Sequence, residues 1–428
     1  MVSFIIIGTF FLFLILRVEI SLSMIFASIC GIIAGGYSLH AIAQIFPLAL
    51  QSFPLMAVPF FVLAAGIMNE AGLTSRIFDF ANDMVGHIKG GLGHVNVVAS
   101  MIFAGMSGSN TADVAGLGKI EMKAMMEKGY SKTFSAAITV SSSCIGPIIP
   151  PSIIMLVYGV SAGVSVGRLF LGGFIPGVLM GILLMVQIYF YAATGRENCP
   201  LPERRASLKQ KLISFKRALP ALITPIIILG GMFSGLFTPT ESGVIAVVYS
   251  LIIGFLYKSI KIKDLFPIFL EASISTAYIF FIVAAAAMLS YIVTLEQIPE
   301  LLLRFLSTIQ IGPLGLLLLI NIILLFAGTI VNGVAALLIF LPILLPIAIE
   351  SGFDLVHFGV VICVNLIIAC VTPPVGIALF VICDVAKIPY DVMSKAILPW
   401  LVPLFICLLL IILFPEITLF LPNLLMGV

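Results

Sequence analysis

The sequence predicts an all-α polytopic membrane protein with two inverted structural repeats, each with about five transmembrane helices and one re-entrant hairpin. Three observations support this fold class. The 428 residues are 61% hydrophobic and only 9% charged, which leaves too little polar surface for a water-soluble domain. Clusters of glycine, serine and proline interrupt the apolar sequence at 103–151. The same interrupted stretch recurs without a gap when the numbering is shifted by 223 residues.

The repeat is most visible in its prolines. The shift of 223 carries the Pro-Pro pair at 150–151 onto the pair at 373–374, and Pro176 onto Pro399. Chance predicts roughly 0.3 such coincidences in windows of this proline content. We therefore expect an internal duplication.

The first repeat is expected at 1–194. A crossing needs about 20 apolar residues to span a core of about 30 Å, and the segment at about 93–128 turns polar in its middle, so we expect a re-entrant hairpin there. An odd number of crossings before the second copy inverts that copy. The predicted crossings of the first repeat are at about 3–17, 20–40, 50–71, 132–160 and 168–193.

The second repeat is expected at 218–428, with its hairpin at about 314–349. The segments 132–160 and 355–383 contain the proline pairs, so each is expected to be a broken helix. Two amphipathic segments are expected to lie along the membrane interface and to connect a scaffold to a moving part. They are at 73–92 and 295–312, and the crossings of the second repeat are at about 218–236, 242–257, 271–294, 355–383 and 393–425.

The basic residues predict the orientation. If the basic linker at 195–217 is cytoplasmic, 19 of the 21 Lys and Arg residues lie on the inside, as the positive-inside rule requires. Both termini are then periplasmic. The first hairpin opens to the cytoplasm and the second opens to the outside.

The hairpin tips carry polar residues at a depth where every backbone group must find a partner within the protein. Hydroxyls, an amide and glycine backbone come together at 107–111, and in the second copy Asn332 falls at the position of Ser109. Irregular chain of this kind is typical of a binding site. The candidate substrate-binding residues are Ser109, Asn110, Thr111, Asn332 and Pro373.

The proline pairs predict cation sites. Each proline removes a backbone donor and leaves a carbonyl of the preceding turn for another partner, and such oxygens suit a hard cation such as Na⁺. We expect at least two sodium ions and no organic cofactor. The first predicted site comprises Ser107, Asn110, Gly146, Ile149 and Pro151, and the second comprises Asn332, Gly333, Ala369, Thr372 and Pro374.

Helix N-termini at the same tips favour an anion, which the helix dipoles, Ser109 and the cations would hold. Asp113 would orient the tip, bind a cation or only cap a helix.

Two other functions are open. The order Gly105-Met106-Ser107-Gly108 has the form of an intramembrane serine hydrolase nucleophile, but a serine needs a base within hydrogen-bond reach. The four histidines lie outside the interiors of the predicted spans, so we expect no enzyme. A membrane scaffold or assembly subunit without flux of its own is the second alternative.

The motifs GMSGSNTADVAGLG (105–118), GPIIPPSIIMLVYG (146–159), LPILLPIAIESGF (341–353) and VTPPVGIALF (371–380) resemble the large membrane subunit of tripartite ATP-independent periplasmic (TRAP) transporters. The resemblance implies a sodium-coupled elevator in the bacterial inner membrane. It also implies a small Q-type membrane subunit and a periplasmic protein that delivers an organic acid, either sialic acid or a C4-dicarboxylate. One departure is Asn332, where the family usually has Asp; this weakens the second sodium site.

Overall fold

A computed structural model of the chain describes residues 1–197, 199–200, 205–308 and 312–427. The side chains of Ser107 and of residues 305–308 lie outside this description. The described residues form 21 α-helices and no β-strand.

In the first half the helices are α1 (Val2–Ile15), α2 (Ile20–Ala34), α3 (His40–Ala49), α4 (Ala57–Glu70), α5 (Leu73–Val85), α6 (Gly91–Ser107), α7 (Asn110–Ala115), α8 (Leu117–Glu127), α9 (Lys132–Ser142), α10 (Ile153–Ala162) and α11 (Val166–Ala193). In the second half they are α12 (Leu208–Phe233), α13 (Pro239–Leu256), α14 (Ile262–Leu295), α15 (Ile298–Thr308), α16 (Pro313–Ile330), α17 (Gly333–Glu350), α18 (Leu355–Ala369), α19 (Ile377–Ala386), α20 (Tyr390–Leu413) and α21 (Glu416–Met426).

Within the described chain, eight helical segments are long and apolar enough to cross a bilayer. They are α11, α12, α13, α14, α16, α17, α20 and the segment Phe53–Glu70, in which a 3-10 turn leads into α4. The described chain also contains shorter apolar helices of 10–17 residues. The protein is therefore an all-α polytopic membrane protein, as the composition predicts.

The two segments predicted as hairpins are helical and are interrupted at their polar tips. The first consists of α6, α7 and α8, and the second of α16 and α17. The shift of 223 residues carries the end of α6, Ser107, onto the end of α16, Ile330. It also carries the start of α7 onto the start of α17, and the start of α9 onto the start of α18. The helix boundaries thus follow the repeat that the prolines indicate.

Both broken helices stop before their proline pair. After α9 the chain forms one 3-10 turn, Ser143–Ile145, and becomes helical again at α10. After α18 it becomes helical again at α19. The peptide bonds Pro150–Pro151 and Pro373–Pro374 are both cis. The helices that follow the breaks, α10 and α19, begin at residues that are buried or half-buried.

Three boundaries differ from the sequence-based prediction. The crossing predicted at 393–425 consists of two helices, α20 and α21, because the residue before Pro415 is disfavoured in the helical conformation. The crossing predicted at 271–294 is the end of the 34-residue α14. The linker predicted at 195–217 is partly helical, since a Ser207–Gln210 capping box starts α12 at Leu208.

The two halves are packed crosswise at the centre. The tip helix α7 of the first hairpin lies against α19 of the second break, and α17 of the second hairpin lies against α10 of the first break. The long helix α14 packs against α17 and also against α2, α3 and α4. This arrangement brings both tips and both breaks next to one helix.

Candidate functional site

A cavity of about 400 Å³ lies where the two hairpin tips meet the two breaks. One wall is formed by α14, through Ile274, Ser275, Tyr278, Ile279 and Ile282. Of the described residues that line it, none carries a charge. The cavity is therefore a mostly apolar chamber with a few hydroxyl and amide groups, as is usual for small-molecule sites.

Four of the five predicted substrate-binding residues line this cavity, namely Ser109, Asn110, Thr111 and Asn332. Pro373 is the exception. It lies half-buried in the second break and is not part of the cavity wall. The second break presents Cys370 and Ile377 to the cavity instead.

The first tip is fixed to the first break by side-chain hydrogen bonds. The hydroxyl of Ser143 donates to Oδ1 of Asn110 at 3.0 Å, and Nδ2 of Asn110 donates to Sγ of Cys144 at 3.6 Å. Ser109 caps α7, accepting from the N–H of Ala112, and its hydroxyl lies 3.3 Å from that of Thr111. Asn110 thus connects the cavity wall to the broken helix.

The backbone of this tip requires glycine. Gly108 has a φ of +59°, and a Cβ atom built on it would lie 2.6 Å from the carbonyl oxygen of Pro151. A side chain at this position would therefore separate the tip from the break.

Residues of the first predicted sodium site lie on both sides of this contact. Gly146 packs against the carboxylate of Asp113, which is buried. Pro150 has no N–H and cannot donate to the carbonyl of Gly146. Pro151 likewise cannot donate to the carbonyl of Pro147, which accepts a hydrogen bond from the hydroxyl of Ser152 instead. The N–H of Ile149 continues the preceding turn by donating to Ile145. The backbone of Ser107 ends α6 at this point, but its side chain lies outside the described residues.

The residues of the second predicted sodium site also lie close together. A Cβ atom on Gly328 of α16 would lie 2.7 Å from that of Ala369, and the N–H of Gly376 donates to the carbonyl of Thr329 at 2.8 Å. Oδ1 of Asn332 caps α17 by accepting from Val334 at 3.0 Å. The side chains at this site are used in local hydrogen bonds, since the hydroxyl of Thr372 donates to Ile368. Pro374 is exposed.

Four helices begin at the cavity, namely α7, α10, α17 and α19, and their first residues line it: Asn110, Ile153, Gly333 and Ile377. Helix N-termini present unpaired N–H groups and a partial positive charge. The cavity can therefore hold an anionic group without a cationic side chain. No group of three or more His, Cys, Asp or Glu residues that could hold a metal occurs in the described part of the chain.

Among the wall residues with a side-chain hydroxyl or amide, two were not predicted from the sequence, Ser275 and Tyr278 of α14. Both lie in an apolar helix whose sequence does not indicate which face contacts lipid, and Tyr278 is 44% exposed. Their only signal in the sequence is that a serine and a tyrosine stand three residues apart, on one face of a membrane helix.

Comparisons with known proteins identify relatives along nearly the whole chain. A sequence model of the family described as "Tripartite ATP-independent periplasmic transporter, DctM component" matches residues 7–417. The sialic acid TRAP transporter large permease protein SiaM of Vibrio cholerae is 43% identical over 410 residues, 95% of each chain. The C4-dicarboxylate TRAP transporter large permease protein DctM of Pseudomonas aeruginosa is 40% identical over 375 residues, 87% of each chain.

The sialic acid TRAP transporter permease protein SiaT of Haemophilus influenzae is 43% identical over 379 residues, which are 88% of this chain and 61% of SiaT. Among solved structures, the YdaH transporter of Alcanivorax borkumensis matches with a TM-score of 0.68 at 13% identity, over 88% of this chain and 89% of that one. The likeness to YdaH concerns the fold alone.

Proposed function

Since this chain belongs to the DctM component family of tripartite ATP-independent periplasmic transporters, we propose that it carries a sialic acid across the inner membrane together with sodium ions. The observation that supports this proposal is the cavity of about 400 Å³ between the two hairpin tips and α14. A periplasmic binding protein delivers the acid, and a small Q-type membrane subunit completes the complex.

The cavity favours an acid with one carboxylate and several hydroxyls. Its hydroxyl and amide groups, on Ser109, Thr111, Ser275, Tyr278 and Asn332, can pair with the hydroxyls of a sugar acid, and the helix N-termini can hold its carboxylate. A C4-dicarboxylate, the substrate named for the Pseudomonas relative, is the second candidate. A dicarboxylate would place two negative charges in a cavity whose described wall has no charged side chain, and burying an unpaired charge costs free energy.

Sodium supplies the driving force in this proposal. Each ion that moves down a roughly tenfold gradient and about 100 mV yields about 3.7 kcal/mol. Two ions yield about 7 kcal/mol, and a monoanion moving against the potential takes back about 2.3 kcal/mol. The remainder supports accumulation by roughly three to four decades. The two sodium sites lie at the tip–break contacts that contain Gly146 and Ala369.

The carrier is proposed to work as an elevator built from two inverted repeats. The matching boundaries of the hairpins and breaks support the repeat, as do the helix caps, because Ser131 caps α9 and Asp354, at the shifted position, caps α18. The crosswise packing of α7 on α19 and of α17 on α10 supports a transport domain that moves as one body. In this mechanism α14 belongs to the scaffold along which the tips slide.

The test is uptake into proteoliposomes that contain this chain, the small subunit and the cognate binding protein. We expect sialic acid to accumulate with an inward sodium gradient, and excess succinate to compete weakly. Accumulation that persists when K⁺ replaces Na⁺ would rule out sodium coupling. No flux under any gradient, with correct assembly, would favour the scaffold alternative.

A further inference from the structure

A second cavity lies on the surface between α11 and α20, away from the substrate site. It has a volume of about 480 Å³ and shares no lining residue with the central cavity. Its walls are apolar and open, since Val186, Phe190, Val402 and Ile406 are between 44% and 59% exposed. Both helices are long enough to cross the membrane, so the groove opens toward the lipid.

Prolines in α20 form part of the wall of this groove. Pro403 has no N–H to donate to the carbonyl of Pro399 four residues earlier, and Nε2 of Gln187 on α11 donates to that carbonyl instead, at 2.9 Å. This bond ties the two helices together across the groove. The groove is therefore a fixed feature of the helix pair.

The length of the groove corresponds to one leaflet. Its lining on α11 extends from Leu183 to Thr194, which is about 16 Å at a rise of about 1.5 Å per residue. The hydrocarbon core of a bilayer is about 30 Å thick, so the groove covers about half of it. It ends where α11 ends.

This end of the groove is cationic. Arg196 lines it, with its guanidinium carbon 5.8 Å from the centre of the Tyr191 ring. Lys395 is exposed and stands four residues before Pro399, so it continues the groove-lining face of α20 toward the same end. Neither cation forms an ion pair within the described chain, and the neighbouring Glu197 accepts from the N–H of Ser131.

We propose that this groove binds an anionic phospholipid. One acyl chain lies along the apolar walls, and the phosphate lies against Arg196 and Lys395. A membrane-surface cation contributes about 1 kcal/mol to the binding of an anionic lipid. An apolar groove about one leaflet long, with two cations at its end that form no ion pair in the part of the chain that the structure describes, is complementary in shape and charge to such a lipid.

The chain contains its own probe for this site. Trp400 is its one tryptophan, and its ring centre is 5.4 Å from that of Tyr191 in the groove wall. Brominated lipids quench tryptophan fluorescence at short range. The experiment places the intact chain in bilayers that contain brominated phosphatidylglycerol or brominated phosphatidylcholine at equal mole fractions.

We expect Trp400 to show at least a fivefold preference for the brominated phosphatidylglycerol, about the effect of one cation. The double variant Arg196→Gln, Lys395→Gln should lose this preference, whereas the control Lys263→Gln, an exposed lysine at the start of α14, should keep it. Val402→Phe, which fills the groove, should reduce quenching by both lipids.

Three results would overturn the proposal. They are equal quenching of the wild type by both lipids, an unchanged preference in the double variant, and no quenching by either lipid. The last result would mean that no acyl chain enters the groove.

Discussion

Gly108 is the residue at which the first hairpin tip contacts the first break. Gly108→Ala would place a Cβ atom 2.6 Å from the carbonyl oxygen of Pro151 and would add about 1–2 kcal/mol of left-handed backbone strain. We expect uptake to fall at least tenfold. Gly163→Ala is the matched control, because Gly163 has a φ of +68° but open space around it. Equal loss of transport in the two variants, measured in proteoliposomes, would contradict a role for the tip–break contact.

Tyr278 tests whether α14 contributes to substrate binding. Tyr278→Phe removes only the hydroxyl, and a lost hydrogen bond to a buried partner costs about 1–3 kcal/mol. We expect KM for the acid to rise by roughly tenfold while the sodium concentration for half-maximal uptake stays unchanged. Tyr189→Phe is the control, since Tyr189 is 45% exposed on α11 and does not line the central cavity. A wild-type KM in Tyr278→Phe would exclude this contact.

Asn332 tests the second sodium site. Asn332→Asp keeps the oxygen that caps α17 and adds a negative charge beside the proposed cation. We expect half-maximal activation of uptake at a lower sodium concentration, because the charge attracts the cation at close range. Asn332→Ser, which retains a capping oxygen without the charge, should not show this gain. Identical sodium curves for Asn332→Asp and the wild type would show that no cation binds there.

At the scale of the helices, the sliding movement can be tested by filling a cavity of about 350 Å³ between α14 and α17. Its wall contains the small residues Ala287 and Ser290 of α14. Ala287→Leu would fill part of this space without a clash, yet it would obstruct α17 as it slides. We expect uptake to fall several-fold while substrate-dependent thermal stabilisation remains. Ala277→Leu, an exposed position on the same helix, should transport normally. Normal uptake by Ala287→Leu would contradict sliding along this face.

The helices also show what sequence alone can establish. The turn at Gly108 and the two helix breaks were predictable because glycine and proline act locally: Gly108 permits a left-handed turn, and the proline pairs remove donors. The α14 wall was not predictable, because an apolar helix does not encode which face meets lipid. The sequence predicted a shorter helix than α14, because the charged residues Lys263 and Asp264 lie in its first turn. Pro373 does not line the central cavity, and its predicted role in substrate binding stays a prediction.

At the scale of the whole molecule, the crosswise packing makes the two halves depend on each other. The first tip lies on the second break, and the second hairpin lies on the first break. Each predicted sodium site lies between a tip and a break of the same half, and these elements also pack against the other half. Binding at the two sites should consequently appear in the stability of the entire chain, and not only in that of a single hairpin.

This dependence predicts how the stability of the protein changes with sodium. A ligand that binds only the folded state adds free energy of unfolding in proportion to the logarithm of its concentration, about 1.4 kcal/mol per decade for each saturated site. Two sites should give about 2.8 kcal/mol per decade of NaCl in a reversible unfolding assay in bilayers, with choline chloride holding the ionic strength constant. Pro151→Ala, which restores a donor in the first break, should reduce the slope to that of one site. A slope near zero in the wild type would show that neither tip–break contact binds sodium, because the assay requires no transport, partner subunit or substrate.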